Sequence, residues 1–289
     1  MIKKDPSSES EEVSWQGFVQ APLPEMPHWV KLVGRAGHIA KGLVYFIVGL
    51  LAFKLAIGAG GELSGAKGAI REIGQQRFGQ VLLMLTAVGL FNYTLWRWVQ
   101  AWKDTEGAGS NARGFATRLG FALNGLVYAF LGVFAATLAL GFAFPTGLSS
   151  DQTKSILESI PGRVSLGAAG VIVIGVAIYL IYLACRAKFM GLYDFATMSV
   201  KIRTTALCVG RIGLVTRGCA FAIIGYFLID SAILGTNDGH ISGMSDALAA
   251  IAMQSYGKVL LAITGIGLMC YAVHVGFLGW FRRFNVSDL

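Results

Sequence analysis

Six stretches of about 20 residues, each nearly free of charge, recur along the chain and limit what it can fold into more than any other feature. They run approximately Ala36–Ile57, Phe78–Trp98, Leu119–Gly141, Leu166–Cys185, Ile212–Leu234 and Val259–Phe281. A hydrocarbon layer about 30 Å thick takes roughly 20 helical residues to cross, and inside it each backbone N–H and C=O must be satisfied within the segment. The sequence therefore predicts an all-α integral membrane protein with six transmembrane helices. All the prolines (Pro6, Pro22, Pro24, Pro27, Pro145 and Pro161) fall outside these stretches, so no span gives up an internal hydrogen bond. With 55% hydrophobic and 14% charged residues, the composition excludes an ordinary soluble enzyme. Its 38 glycines follow no triplet period, which excludes a collagen-like chain.

Residues 1–30 read as a polar tail. It carries Glu9, Glu11 and Glu12 and lacks the short apolar core of a cleavable signal, so the first span is expected to be retained as the insertion signal. Lys and Arg collect on cytoplasmic flanks. The N-terminal flank, the loops after spans two and four, and the C-terminus hold fifteen of them, whereas the other three loops hold six. Both termini are thus expected in the cytoplasm. The net charge of +8 is read as an orientation signal and an attraction to anionic lipid head groups, with no nucleic-acid partner. Trp96, Trp98 and Trp102 around Arg97 and Lys103, and Trp280 beside Arg282, are read as interfacial belt residues.

The spans form three copies of one unit, with repeats expected at 31–106, 113–192 and 203–284. The segments Arg35-Ala-Gly-His-Ile-Ala-Lys-Gly-Leu-Val-Tyr-Phe-Ile-Val-Gly49, Arg118-Leu-Gly-Phe-Ala-Leu-Asn-Gly-Leu-Val-Tyr-Ala-Phe-Leu-Gly132 and Arg211-Ile-Gly-Leu-Val-Thr-Arg-Gly-Cys-Ala-Phe-Ala-Ile-Ile-Gly225 align without a gap. They share the repeat arginines Arg35, Arg118 and Arg211, three glycine positions, and an aromatic at Tyr45, Tyr128 and Phe221. The second halves match as Ser64, Ile70, Gly89, Tyr93; Ser150, Ile156, Gly175, Tyr179; and Ser242, Leu248, Gly267, Tyr271. Each unit reads as a span, an outer loop with a short amphipathic helix that the serine can cap, and a returning span. An even number of spans per unit gives all three the same orientation, which predicts pseudo-threefold symmetry about the membrane normal. Gly42 and Gly49, Gly125 and Gly132, and Gly218 and Gly225 are seven residues apart, nearly on one stripe of their helices, and are read as packing glycines.

This unit, Arg-x-Gly-x-x-x-x-Gly-Leu-Val-Tyr-x-x-x-Gly followed by a small-residue outer helix and a Gly-x-x-x-Tyr span, resembles the bacterial membrane family catalogued as domain of unknown function 1206. The resemblance covers nearly everything from Arg35 to Arg283. It implies tandem pairs of transmembrane helices and a location in a bacterial plasma (inner) membrane, and it brings no known activity or site. Repeat three departs from it at Cys219-Ala-Phe221. Mitochondrial carriers also have three two-helix units, but their kink motif of proline, acidic and basic residues is missing here.

Ionisable residues inside spans are costly, about 2.5–3.5 kcal/mol each on insertion scales, and so mark candidate sites. Lys41, Asn124 and Arg217 occupy matched positions about two turns in from the repeat arginines, and with them can form a basic ring. Lys54, Thr137 and Asp230 form a second matched level, about 28 Å further along at 1.5 Å per residue from the arginines. Both levels are candidate polar rings; the bland reading is long side chains snorkelling to the interfaces. His38 and His274 lie in spans of different repeats, where a haem-ligand reading stands against packing. Cys185, Cys208, Cys219 and Cys270 show no metal or redox spacing and are read as reduced packing residues.

No catalytic, cofactor-binding or metal-ligating set is expected. The leading expectation is a non-enzymatic membrane component that binds lipids or partner proteins, with a protein partner or homo-oligomer allowed. The alternative is a transporter or channel for a small ion or anionic solute. It requires the two polar levels to converge on a central path.

Overall fold

The computed structural model describes residues 28–60, 65–105, 107, 109–142, 155–234 and 244–282. The six spans are long helices: α1 (His28–Ala56), α3 (Gly79–Lys103), α4 (Ala112–Ala139), α5 (Ile160–Cys185), α6 (Val200–Leu234) and α8 (Gly257–Phe281). Short helices α2 (Ala66–Gln75) and α7 (Met244–Ala252) lie between the first and third pairs, and residues 155–158 are helical at the matching place in the second. Helices α1, α4, α5 and α6 begin about two to three turns before the apolar windows, because hydropathy marks only the part of a helix that lies in lipid.

Local signals fix several ends. Asn111 accepts the Gly114 N–H at 2.8 Å at the start of α4. Ser159 does the same for Gly162 at 3.2 Å, with Pro161 in the first turn of α5. The expected caps Ser64, Ser150 and Ser242 lie outside the described residues, and α2 opens after Gly65 without a side-chain cap.

In neighbour order the long helices run α4, α3, α1, α8, α6, α5 around a shared interior. Each seam between repeats joins the first helix of one unit to the second helix of another: α4 on α3, α1 on α8, α6 on α5. The packing glycines all sit at these seams. A Cβ at Gly49 would stand 2.6 Å from Gly265 O, and one at Gly265 would stand 2.7 Å from Gly49 O, so the α1 and α8 backbones touch. Gly225 and Gly170 make the same reciprocal approach at 2.9 Å between α6 and α5. Gly42 and Gly218 face the carbonyls of Ala272 and Ala177. The α3–α4 seam is filled by rings instead, with Trp98 against Gly125 and Phe91 against Gly132, and Thr94 Oγ1 donates to Gly125 O at 3.2 Å.

Within the units the pattern is uneven. Hairpins α1–α3 and α6–α8 are closed, whereas α4 and α5 do not pack along one another. The threefold arrangement expected from the repeats is therefore not carried through in hairpin two. The connection from α5 to α6 folds back under the bundle through 3₁₀ turns Lys188–Leu192 and Phe195–Thr197, burying Phe189, Met190 and Tyr193. Asp194 N–H donates to Phe281 O at 2.8 Å, and Arg203 ties the loop to α6 through Phe195 O at 2.6 Å. Trp98, Trp102 and Trp280 are exposed, as a belt requires, but Trp96 is not a belt residue: it is buried against Val30 with Arg282 over its ring.

Gly37 and Gly213 let the backbones of Tyr93 and Tyr271 pass within contact distance, whereas nothing lies within 4 Å of a Cβ at their counterpart Gly120. Gly37→Ala should lower the thermal midpoint of the detergent-purified protein, by the equivalent of about 1–3 kcal/mol of overpacking. Gly120→Ala should leave it unchanged.

Candidate functional site

Lys41 and Tyr45 on α1 are one turn apart, as are Arg217 and Phe221 on α6, so each pair projects from one helix face. The row of helices brings these two faces together with Tyr93 of α3, Tyr128 of α4 and Tyr271 of α8. Lys41 Nζ donates to Tyr93 Oη at 2.8 Å and lies 4.6, 5.1 and 5.6 Å from the ring centroids of Tyr93, Tyr128 and Tyr271. Arg217 Nη1 donates to Tyr271 Oη, and its guanidinium lies 4.7 Å from the Tyr271 centroid, 4.9 Å from that of Phe221 and 5.2 Å from that of Tyr45. The rings pack edge to face, Tyr93 on Tyr128 at 4.6 Å and Tyr45 on Tyr271 at 4.9 Å, while the Tyr128 and Tyr45 hydroxyls are 3.5 Å apart. Arg97 Nε also donates to Tyr93 Oη, at 2.7 Å, and its Nη1 donates to Gln100.

The centre is electrostatically one-sided. Lys41 is 3% exposed and Arg217 8% exposed, and among the described residues neither has a carboxylate partner. Arg217 Nε has no hydrogen-bond partner among the described residues. Phenol oxygens and ring faces solvate the two cations; cation–π contacts are worth about 0.5–2 kcal/mol each, the more when desolvated.

Of the matched inner level, Lys41 and Arg217 thus converge. Asn124 does not join them by a hydrogen bond, and its Oδ1 is shielded without a partner. The repeat arginines do not complete a ring: Arg35 and Arg211 are exposed, and Arg118 caps α3 through Ala101 O at 2.7 Å and Trp102 O at 3.1 Å. The outer level does not assemble. Lys54 is exposed, Thr137 is bonded to Val133 O and Phe134 O of its own helix, and no ion pair joins Lys54 to Asp230.

His38 Nδ1 donates to Gly34 O at 2.6 Å and packs edge-on against Tyr93, while His274 Nδ1 lies 2.8 Å from Tyr193 Oη. Burial pushes the Tyr193 phenol above its ordinary range, with the Arg282 charge opposing it. Three of the cysteines are exposed and Cys270 is half-buried, so the packing role read for them lies at the bundle surface and not in its core. No group of three or more metal-ligating side chains occurs among the described residues.

Sequence reasoning marked Tyr45, Tyr93, Tyr128 and Tyr271 only as repeat landmarks. A signal was present: Lys41 and Tyr45, like Arg217 and Phe221, are spaced i, i+4, and a tyrosine recurs in each returning span. Which tyrosine meets which cation depends on how the helices are arranged.

Six apolar helices in three tandem pairs, with buried cations among tyrosines, define a multi-pass membrane protein. The chain belongs to the family described as Domain of Unknown Function (DUF1206), which matches it three times, at residues 36–104, 119–187 and 212–282. It is 34% identical over 263 residues to the uncharacterized protein YxxB of Bacillus subtilis (strain 168), covering 90% of this chain and 94% of that one. No solved structure matches it.

Tyr93→Phe removes the oxygen that Lys41 and Arg97 share and should destabilise the bundle by about 1.5–3 kcal/mol, the range for hydrogen bonds to charged groups. Tyr128→Phe, which gives up only the long contact to Tyr45, should cost well under half as much. Thermal melting of both variants in one detergent checks the ranking.

Proposed function

We propose that this protein is a non-enzymatic component of the bacterial plasma membrane, with both termini in the cytoplasm, whose Lys41–Arg217 centre holds an anionic group, in the first place a phospholipid head group. The observation that carries this reading is the pair of buried cations without a carboxylate partner among the described residues, one of them with an unsatisfied N–H. A phosphate oxygen can accept the Arg217 Nε proton and offset both charges where the surroundings screen them poorly. Two features support a lipid over a solute in transit. The outer polar level does not assemble, so among the described residues Lys54, Thr137 and Asp230 form no second stage for a path across the bilayer. The exposed flanks of α4 and α5, with Leu126, Val127, Ile172 and Val176, are apolar and suited to acyl chains.

The reading is tested by purifying the protein in mild detergent and measuring its thermal midpoint with phosphatidylglycerol, phosphatidylcholine or inorganic phosphate added. Phosphatidylglycerol should raise the midpoint well beyond phosphatidylcholine, and the double variant Lys41→Met, Arg217→Met should lose that difference while keeping its helical circular dichroism. An equal response of both proteins to both lipids would overturn the assignment. Stabilisation by inorganic phosphate alone would replace the lipid with a soluble anion.

A further inference from the structure

The three repeats allow the second hairpin to be compared with two closed copies of itself. In hairpin one, Tyr93 crosses Gly37, Gly89 receives Ala40, and the Tyr93 hydroxyl is bonded to the residue at the inner polar level, Lys41. In hairpin three, Tyr271 crosses Gly213, Gly267 receives Thr216, and the Tyr271 hydroxyl is bonded to Arg217. The corresponding residues of hairpin two are Tyr179, Gly120, Gly175, Leu123 and Asn124. All are present, and none is engaged in this way. Nothing lies within 4 Å of a Cβ at Gly120 or Gly175, Tyr179 is 56% exposed, and Leu123 is 54% exposed. The Asn124 Oδ1 atom is shielded and has no hydrogen-bond partner.

Two glycines with nothing against them would by themselves say little. What gives them meaning is the pairing of an orphaned acceptor, Asn124 Oδ1, with an exposed phenol, Tyr179, at the two positions that bond to each other in both sister hairpins. We propose that hairpin two is a lateral gate, open in this structure, and that it closes when α5 swings onto α4. In the closed state Tyr179 crosses Gly120, its hydroxyl donates to Asn124 Oδ1, and the last of the three returning-span tyrosines joins the central cluster. The movement seals the interior on the side where α4 and α5, the two ends of the row of helices, now stand apart.

The sequence also supplies a reason for the open state. Where the closed hairpins place Ala40 and Thr216 against the facing glycine, hairpin two has the larger Leu123. Leucine at this contact resists the close helix approach, and a neutral Asn–Tyr hydrogen bond draws the helices together less strongly than the charge-assisted bonds of Lys41 and Arg217. The balance between the two states is therefore set by a side chain that stands exposed in the open state. The gate does not depend on which anion, if any, the central cations hold.

The test measures the distance between spin labels at the bundle end shared by the start of α4 and the end of α5. One label is placed by Phe115→Cys and the other on the native Cys185, with Cys208, Cys219 and Cys270 replaced by serine and the protein in lipid nanodiscs. Leu123→Ala should shift the population toward a shorter distance, and Gly175→Leu, which fills the closing contact, should leave only the longer one. Asn124→Leu should reverse the shift in the Leu123→Ala background. These substitutions occupy open or shielded positions outside the inter-repeat glycine seams, and a gel-filtration volume equal to that of the parent protein checks that each variant is intact. One distance, unchanged across all variants, would overturn the gate. A short distance that persists in singly labelled protein would overturn it too, since it would report contact between two copies.

Discussion

Everything in this bundle depends on how closely the first helix of each repeat can approach the second helix of its neighbour. In a bilayer no hydrophobic force separates helix from lipid, so association rests on backbone proximity and on van der Waals contact across small residues. The Gly49–Gly265 and Gly225–Gly170 contacts supply that proximity at two seams. The third, between α3 and α4, replaces it with rings laid into Gly125 and Gly132 and with the Thr94 bond. Because the seams link each unit to a different one, the three hairpins are bound into one curved row.

The charged centre is a consequence of that row. Lys41 and Arg217 belong to different repeats, yet Lys41 lies over a ring from α8 and Arg217 over one from α1, so each cation is solvated partly by another unit's tyrosine. A long cationic side chain in a membrane interior ordinarily reaches for the interface. Here phenol hydroxyls and ring faces hold both chains inward. The same rings that stabilise positive charge leave it uncompensated, and that is what makes an anionic ligand a chemically sensible occupant.

Hairpin two shows how a repeat can keep its landmarks and lose their use. Asn124 is uncharged where Lys41 and Arg217 carry a charge, and Leu123 is bulkier than Ala40 or Thr216. In this hairpin the tyrosine stands on the surface while the inter-repeat seams stay intact.

The six spans, the threefold repeat, the seam glycines and the matched Lys41–Asn124–Arg217 level were all legible in the sequence, because hydropathy, helical period and repeat spacing are local properties of the chain. The α5–α6 loop beneath the bundle was not. Its Phe189, Met190 and Tyr193 become core residues only because Gly210 and the end of α8 lie over them. Nor could the sequence say that Trp96 is buried, that Lys54 and Asp230 never meet, or that four tyrosines surround two cations. Pattern alone establishes that a glycine permits a close neighbour and that a lysine needs a partner. Which helix arrives, and which phenol it carries, is decided by packing among residues as far apart in the chain as Lys41 and Tyr271. For the same reason the repeats predict three equivalent hairpins, while the folded protein closes two of them.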